Sequence, residues 1–229
     1  MKKISLFALA LCTSAAVFAQ DNQPQLRTPM AVTPRFGIRG GVNLADLTAK
    51  NVSSGYTEAQ SKTAFNGGIF INIPLGTSMF RFQPEISYSS QGGKVQGASG
   101  TTGAGTFEQD LDYLNLPLNF QLMTKNGLFI QTGPQVGFLV GAEIGSATGG
   151  TAMNGGNKDA FDKFDLSWTG GVGYLSRVGL GIDLRYNIGI ANVVADDAPN
   201  NAGMAPFRGQ TWKNSVGQFS LIYHFGGHK

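Results

Sequence analysis

Along eight separate stretches of this chain, apolar and polar side chains alternate with a period of two. Successive side chains of a β-strand point to opposite faces, so each stretch reads as a strand with one apolar and one polar face. Phe36, Ile38, Val42 and Leu44 oppose Arg39 and Asn43. Ile69, Ile71 and Ile73 oppose Asn66, Gly68, Phe70 and Asn72. Phe80, Phe82, Ile86 and Tyr88 oppose Arg81, Gln83, Glu85, Ser87 and Ser89. Leu114 to Leu122 alternates with Asn115, Asn119 and Gln121, and Ile130, Val136, Phe138 and Val140 face away from Gln131 and Gln135. Phe164, Leu166, Trp168, Val172 and Tyr174 oppose Asp165, Ser167, Thr169 and Gly173. The stretch beginning at Val178 sets Leu180, Ile182, Leu184, Tyr186 and Ile188 against Asp183, Arg185 and Asn187. The last sets Phe219, Leu221, Tyr223 and Phe225 against Gln218, Ser220 and His224.

The connections fall into two classes. Three are short: 74–78, 124–127 with its Asn126-Gly127 pair, and 176–177. Four are long and polar or small: 46–62, 92–106, 143–162 and 192–211. Short and long alternate strictly, which is the pattern of an outer-membrane barrel with short periplasmic turns, long extracellular loops and both ends in the periplasm. The longest apolar run, 136–142, contains Gly137 and Gly141 and is far below the roughly 18 residues of a spanning helix. A chain of this kind can satisfy its backbone inside a bilayer only as a closed barrel. The expected fold is therefore all-β, an eight-stranded antiparallel transmembrane β-barrel. Pro84, Pro117 and Pro134 lie within expected strands and predict bulges that absorb their missing N–H groups. Tyr113 falls on the inward parity and Asp112 on the outward one, near the extracellular end.

The N-terminus reads as an export signal. Lys2 and Lys3 precede an apolar segment, 4–12, and Val17-Phe18-Ala19 supplies a cleavage site after Ala19. Cys12 follows Leu11, where a lipobox requires a small residue, so the ordinary cut is the better reading. The expected divisions are a signal peptide 1–19, a polar periplasmic leader 20–34, the barrel 35–225 and a tail 226–229. Cleavage removes the one cysteine of the chain, leaving no disulfide or thiolate metal site. It also leaves 15 basic against 14 acidic residues, too even a balance for a nucleic-acid partner. Charged residues are 14% of the chain, against about 25% in soluble domains. That scarcity suits a lipid-facing exterior.

The inward parity gathers Arg39, Arg81, Glu85, Asp165, Asp183 and Arg185. An eight-stranded interior is just wide enough for side chains, so these charges read as a structural network filling the lumen. The functional alternative is a proton or small-ion path, with Glu85 and Arg185 the first pair to test. Catalysis has little support. His224 and His228 lie at the periplasmic end, away from where a lipid-modifying barrel enzyme would need them. No His or Cys cluster has zinc spacing, and the Gly-rich segments 170–173 and 179–181 lie on strands with no helix to hold a phosphate. No cofactor is expected. Phe36, Phe80, Phe82, Phe120, Tyr174, Tyr223 and Phe225 sit at the periplasmic strand ends. Phe65, Tyr88, Phe138, Phe164, Trp168 and Trp212 sit towards the others, as interfacial girdles do.

Phe36-Gly37-Ile38-Arg39-Gly40-Gly41-Val42-Asn43-Leu44 resembles the opening strand of the PorT-like outer-membrane β-barrel family. Gln83-Pro84-Glu85-Ile86-Ser87-Tyr88-Ser89, Tyr113-Leu114-Asn115-Leu116-Pro117-Leu118, Gly133-Pro134 and Asp183-Leu184-Arg185-Tyr186-Asn187 are similar to its later strands. The resemblance spans about residues 36–225 and implies a porin-like barrel, in some members an accessory of a protein-secretion system. Gly226-Gly227-His228-Lys229 departs from it, because such barrels usually end at the aromatic residue. The expected function is a non-enzymatic outer-membrane barrel with a structural or loop-mediated surface role. An accessory of a secretion complex is the alternative, with a narrow channel or a lipid-modifying enzyme behind it. The expected partners are outer-membrane lipid and lipopolysaccharide, the barrel-insertion machinery and, on the alternative reading, secretion-system components.

Overall fold

The computed structural model describes residues 33–50, 56–76, 79–97, 105–148, 161–193 and 211–226. The chain divides into two compact units, Met1–Ala31 and Val32–Lys229. The first lies outside the described residues, as do the signal peptide, most of the leader and residues 227–229 of the tail. In the second unit the strands are β1 (Arg35–Lys50), β2 (Tyr56–Gln60), β3 (Lys62–Pro74), β4 (Phe80–Gly97), β5 (Gly105–Met123), β6 (Leu128–Thr148), β7 (Phe164–Leu175), β8 (Leu180–Gly189) and β9 (Thr211–His224). β2 and β3 both pair with β4 and are parted only at Ser61, so together they form one stave. Each stave pairs antiparallel with its sequence neighbours, and β9 pairs with β1 to close the ring. The barrel is closed and eight-stranded.

The register sets its width. Carried around the ring in unchanged register, Gly37 lines up with Phe70, Glu85 and Pro117, then with Gln135, Ser167, Gly189 and Asn214. Asn214 pairs with Leu47 of β1 rather than Gly37, so one circuit is offset by ten residues. With ordinary strand spacing and rise, eight strands and this offset give a tilt of about 40° and a backbone radius of about 8 Å. Side chains from opposite walls meet across such a space.

β8 shows how the sequence partitions. Its residues are alternately exposed and buried along its whole length, with Leu180, Ile182, Leu184, Tyr186 and Ile188 outside and Asp183, Arg185 and Asn187 inside. The same inversion holds around the ring: Phe36, Ile38, Phe65, Ile69, Phe80, Ile130, Phe164 and Leu221 are exposed, while Arg39, Asn43, Asn72, Gln83, Glu85 and Gln131 are buried. A contiguous apolar exterior around a polar interior is suited to lipid and not to water.

One rim, here the turn rim, carries the three tight connections together with the start of β1 and the end of β9; the other is the loop rim. Thr124-Lys125-Asn126-Gly127 and Ser176-Arg177-Val178-Gly179 share one design. In each, the glycine N–H donates to the first residue's carbonyl, and the glycine has φ 90° or 91°. A β-carbon is strained in that left-handed region. The second turn extends through Gly179, so β8 begins at Leu180 and not at Val178, which lies in the turn. At this rim the lumen is closed by an apolar plug of Phe70, Met123, Phe129, Leu175 and Ile222, with His224 tilted on Phe70 at a centroid distance of 4.9 Å.

Two further sequence expectations are corrected. No bulge forms at Pro84, Pro117 or Pro134. Partner assignments lapse for two residues, as between Pro84↔Leu118 and Ser87↔Asn115, and resume in unchanged register. A one-residue slip would turn every later side chain to the wrong face, so the ladder opens locally instead of shifting. Gly133 allows this: a β-carbon there would lie 2.0 Å from the Leu118 carbonyl oxygen. The described register shifts fall elsewhere, at Thr57/Ala59, Thr106/Phe107 and Asp112/Tyr113. The last lets Tyr113 turn fully inward, as expected of it. Second, much of the segments expected as loops at 46–62, 92–106 and 143–162 is paired strand: β1 runs to Lys50, β4 to Gly97, β5 starts at Gly105 and β6 runs to Thr148. Backbone pairing tolerates their Gly-, Ser- and Thr-rich composition because no apolar face is needed beyond the lipid band.

The assigned faces predict different costs for two substitutions on one strand. Leu184→Arg, on the lipid side, should destabilise the barrel by about 2–4 kcal/mol. Asn187→Ser, inside, should lose about 1 kcal/mol with the hydrogen bond from Thr169 Oγ1. Urea titrations of refolding in detergent or lipid measure both, and the opposite order would invert the assigned register.

Candidate functional site

The most highly organised group of side chains is at the centre of the lumen. Arg39 enters from β1, Glu85 from β4, and Asp183 and Arg185 from β8. Each is on the inward parity of its strand, and each is buried. Room is made by glycines on the same face. A β-carbon at Gly171, paired with Arg185, would lie 3.0 Å from Arg185 Cγ and 3.1 Å from Gln131 Nε2. The large inward residues therefore interleave with inward positions that carry no side chain.

Glu85 bridges the two guanidinium groups. Its Oε1 accepts from Arg39 Nη1 at 3.0 Å and its Oε2 from Arg185 Nη1 at 2.9 Å. Asp183 Oδ2 lies 2.8 Å from Arg185 Nε and 3.9 Å from Arg39 Nη2. Asp183 Oδ1 accepts from Gln131 Nε2 at 2.6 Å. The quartet is electrically neutral, which is the condition for holding ions out of bulk water. Both carboxylates are engaged on both oxygens, so neither is available as a base.

From this quartet a polar network runs both ways along the lumen. Towards the turn rim, Gln121 donates to both Gln131 and Gln83, Asn72 donates to Gln83 and Gln121, and Arg81 Nη1 donates to Asn72 Oδ1. Towards the loop rim, Arg39 Nη2 donates to Ser220 Oγ, Ser220 to Asn66, Asn66 to Asn43, and Asn43 to Ser89. Inward residues near the loop rim become apolar again: Ala45 pairs with Val216 and Leu111 with Ala142, and all four are buried, as are Phe161 and Val193.

Of the six charged residues expected to line the lumen, the structure joins Arg39, Glu85, Asp183 and Arg185 in one cluster. Arg81 binds Asn72 nearer the turn rim, and Asp165, though buried on β7, stands apart from the quartet. His224 is packed into the turn-rim plug, and His228 lies outside the described residues. Among the described residues no three His, Cys, Asp or Glu side chains gather as a metal would require. On the outer surface, Phe82–Phe120 and Phe138–Phe164 are cross-strand pairs with centroids 5.1 Å apart, and Phe65 stacks on Tyr88 at 5.4 Å. The Trp212 side chain lies outside the described residues.

The amides Asn72, Gln83, Gln121 and Gln131 were not singled out in the sequence, although their inward parity was visible there. Of the plug, Phe70 shared the inward parity of Asn66 and Asn72, but Phe129 and Ile222 gave no such signal. Phe129 stands between Leu128 and Ile130, and Ile222 between Leu221 and Tyr223, where parity is hidden in an apolar run.

Residues 18–195 match the family model described as the outer membrane protein beta-barrel domain. No curated protein matches the chain. Among solved structures, it is similar to Ail, the attachment invasion locus protein of Yersinia pestis, at 12% identity, with 83% of this chain and 98% of that one covered and a TM-score of 0.46. The outer membrane protein OprG from Pseudomonas aeruginosa is similar at 12% identity, with 85% and 97% covered and a TM-score of 0.46. Neisserial surface protein A is similar at 13% identity, with 82% and 95% covered and a TM-score of 0.42.

The quartet predicts strong coupling. Glu85→Leu leaves two buried guanidinium groups with Asp183 alone, one positive charge unmatched, and should cost about 3–5 kcal/mol. Replacing all four members together with Leu should cost less than that single change, because no unmatched charge is then left. Equilibrium unfolding of both variants in the same lipid checks the order.

Proposed function

The chain belongs to the outer membrane protein β-barrel domain family, and on that premise we propose that it is a non-enzymatic surface barrel that acts outside its lumen. In this reading the turn rim faces the periplasm and the loop rim the exterior. The observation that carries it is a contrast between the inside and the height of the wall. Inside, the neutral quartet, the amide network and the turn-rim plug fill the space that a solute would need. Outside, β4, β5 and β6 are 18, 19 and 21 residues long, although a tilted strand crosses a bilayer in about 9–11. β7 and β8 have only 12 and 10 residues. The tight turns keep the strands level at the turn rim, so the excess rises on one side of the loop rim. There it forms a paired sheet beyond the membrane, available to lipopolysaccharide or to a macromolecule.

The strand motifs that resemble PorT-like barrels favour a second reading, an accessory of a secretion complex. That role would place its partner in the same membrane and make no demand on the raised sheet.

Two measurements test the barrel common to both readings, and a third separates them. The full chain should sediment with outer membrane and show heat-modifiable gel mobility. Purified protein in planar bilayers should give no steady conductance, since the interior is filled; reproducible large channels would overturn this. A variant with β4 and β5 joined by a short turn in place of residues 93–110 should fold normally yet lose whatever the full chain captures on intact cells. Unchanged capture of secretion components by that variant would favour the second reading.

A further inference from the structure

Glu85 and Asp183 are matched by arginines, but the third buried carboxylate among the described residues, Asp165, is not. Asp165 is 4% exposed, and the Leu166 N–H donates to it, yet its Oδ1 has no hydrogen-bond partner and no Lys or Arg among the described residues pairs with it. An isolated buried carboxylate is costly unless something neutralises it. The surroundings favour a particular agent. Asn115 on β5, Gly137 on β6 and Asp165 on β7 lie directly opposite one another in register. A β-carbon at Gly137 would be 2.7 Å from Asn115 Oδ1, 3.3 Å from Asp165 Cβ and 3.3 Å from the Tyr113 ring, so three side chains converge on the space that this glycine leaves. Asn115 Oδ1 and Ser167 Oγ are buried without partners, whereas Asn43, Asn66 and Ser220 across the lumen bond to one another and to Ser89.

We propose that the loop-rim half of the lumen holds a small hard cation, with Asp165 as its charged ligand and Asn115 and neighbouring oxygens or waters completing the shell. Water alone would satisfy the amides but leave the negative charge. A proton would remove the charge but leave the oxygen acceptors unused. A cation with residual water answers both. The donors are all oxygen, which selects sodium, potassium, calcium or magnesium over zinc or copper. Asp162, exposed at the loop rim and within electrostatic reach of the same Tyr113, marks the side of entry.

The test uses Tb3+, an oxygen-seeking ion whose luminescence a nearby tyrosine sensitises, titrated into the full refolded barrel in detergent. A saturable signal of one equivalent, displaced by Ca2+, is expected. It should be lost in Asp165→Asn, weakened about tenfold in Gly137→Ala, whose methyl occupies the space, and unchanged in the exposed-surface control Glu143→Gln. Should Asp165→Asn fail to show folded mobility, Asn115→Ala should still weaken binding. Binding that survives in folded Asp165→Asn overturns the proposal, as does the absence of saturable binding to the wild type. An infrared band of a protonated carboxyl at neutral pH that disappears in Asp165→Asn also overturns it.

Discussion

Closure of β9 onto β1 is the constraint from which the other features follow. Within hydrocarbon an open sheet edge has nothing to bond to, so the chain must return to its own first strand. The register in which it returns is not free, because each pair of staves must keep apolar side chains outward. Eight staves with an offset of ten residues then fix a radius of about 8 Å. From that radius comes the rule for the interior: it is too narrow for a wide water column and too polar to be left unbonded.

The interior solves this by layering. An apolar plug seals the turn rim, a neutral quartet of two arginines and two carboxylates holds the centre, and a layer of hydrogen-bonded amides extends from the quartet towards the plug. Glu85 is the hinge of the arrangement because it touches arginines from two other staves, β1 and β8, neither of which pairs with its own strand β4. Inward glycines such as Gly171 make these long side chains possible without widening the barrel. The network ties together staves that do not pair directly, adding cross-lumen bonds to the backbone ladder.

The exterior of the barrel is uneven in a way that the lumen is not. β7 and β8 end near the height that a membrane requires, while β4, β5 and β6 continue as paired strands. Strand extension without a lipid-facing apolar stripe is possible only beyond the bilayer, where the outward face meets water. The membrane-spanning part thus serves as a rigid foundation, and the freedom to vary lies in the raised wall and its connections.

Much of this was legible before any coordinates. Period-two alternation assigned Ile182 and Leu184 to lipid and Asp183 and Arg185 to the lumen, since a strand can turn its side chains only to two faces. The alternation of short and long connections gave the number of staves and their up-and-down order. Asn126-Gly127 announced its turn, but Gly179 was hidden behind Val178, whose β-branched side chain reads as strand. The three prolines suggested bulges because local chemistry says that an N–H is missing, and only the closed ring decides that the ladder must open without slipping. Likewise, the sequence by itself determined that six charges face inward. Which of them meet, that Glu85 spans Arg39 and Arg185 while Asp165 is left with none, depends on the offset with which the ring closes. That offset is a property of all eight staves together, and no single strand's sequence contains it.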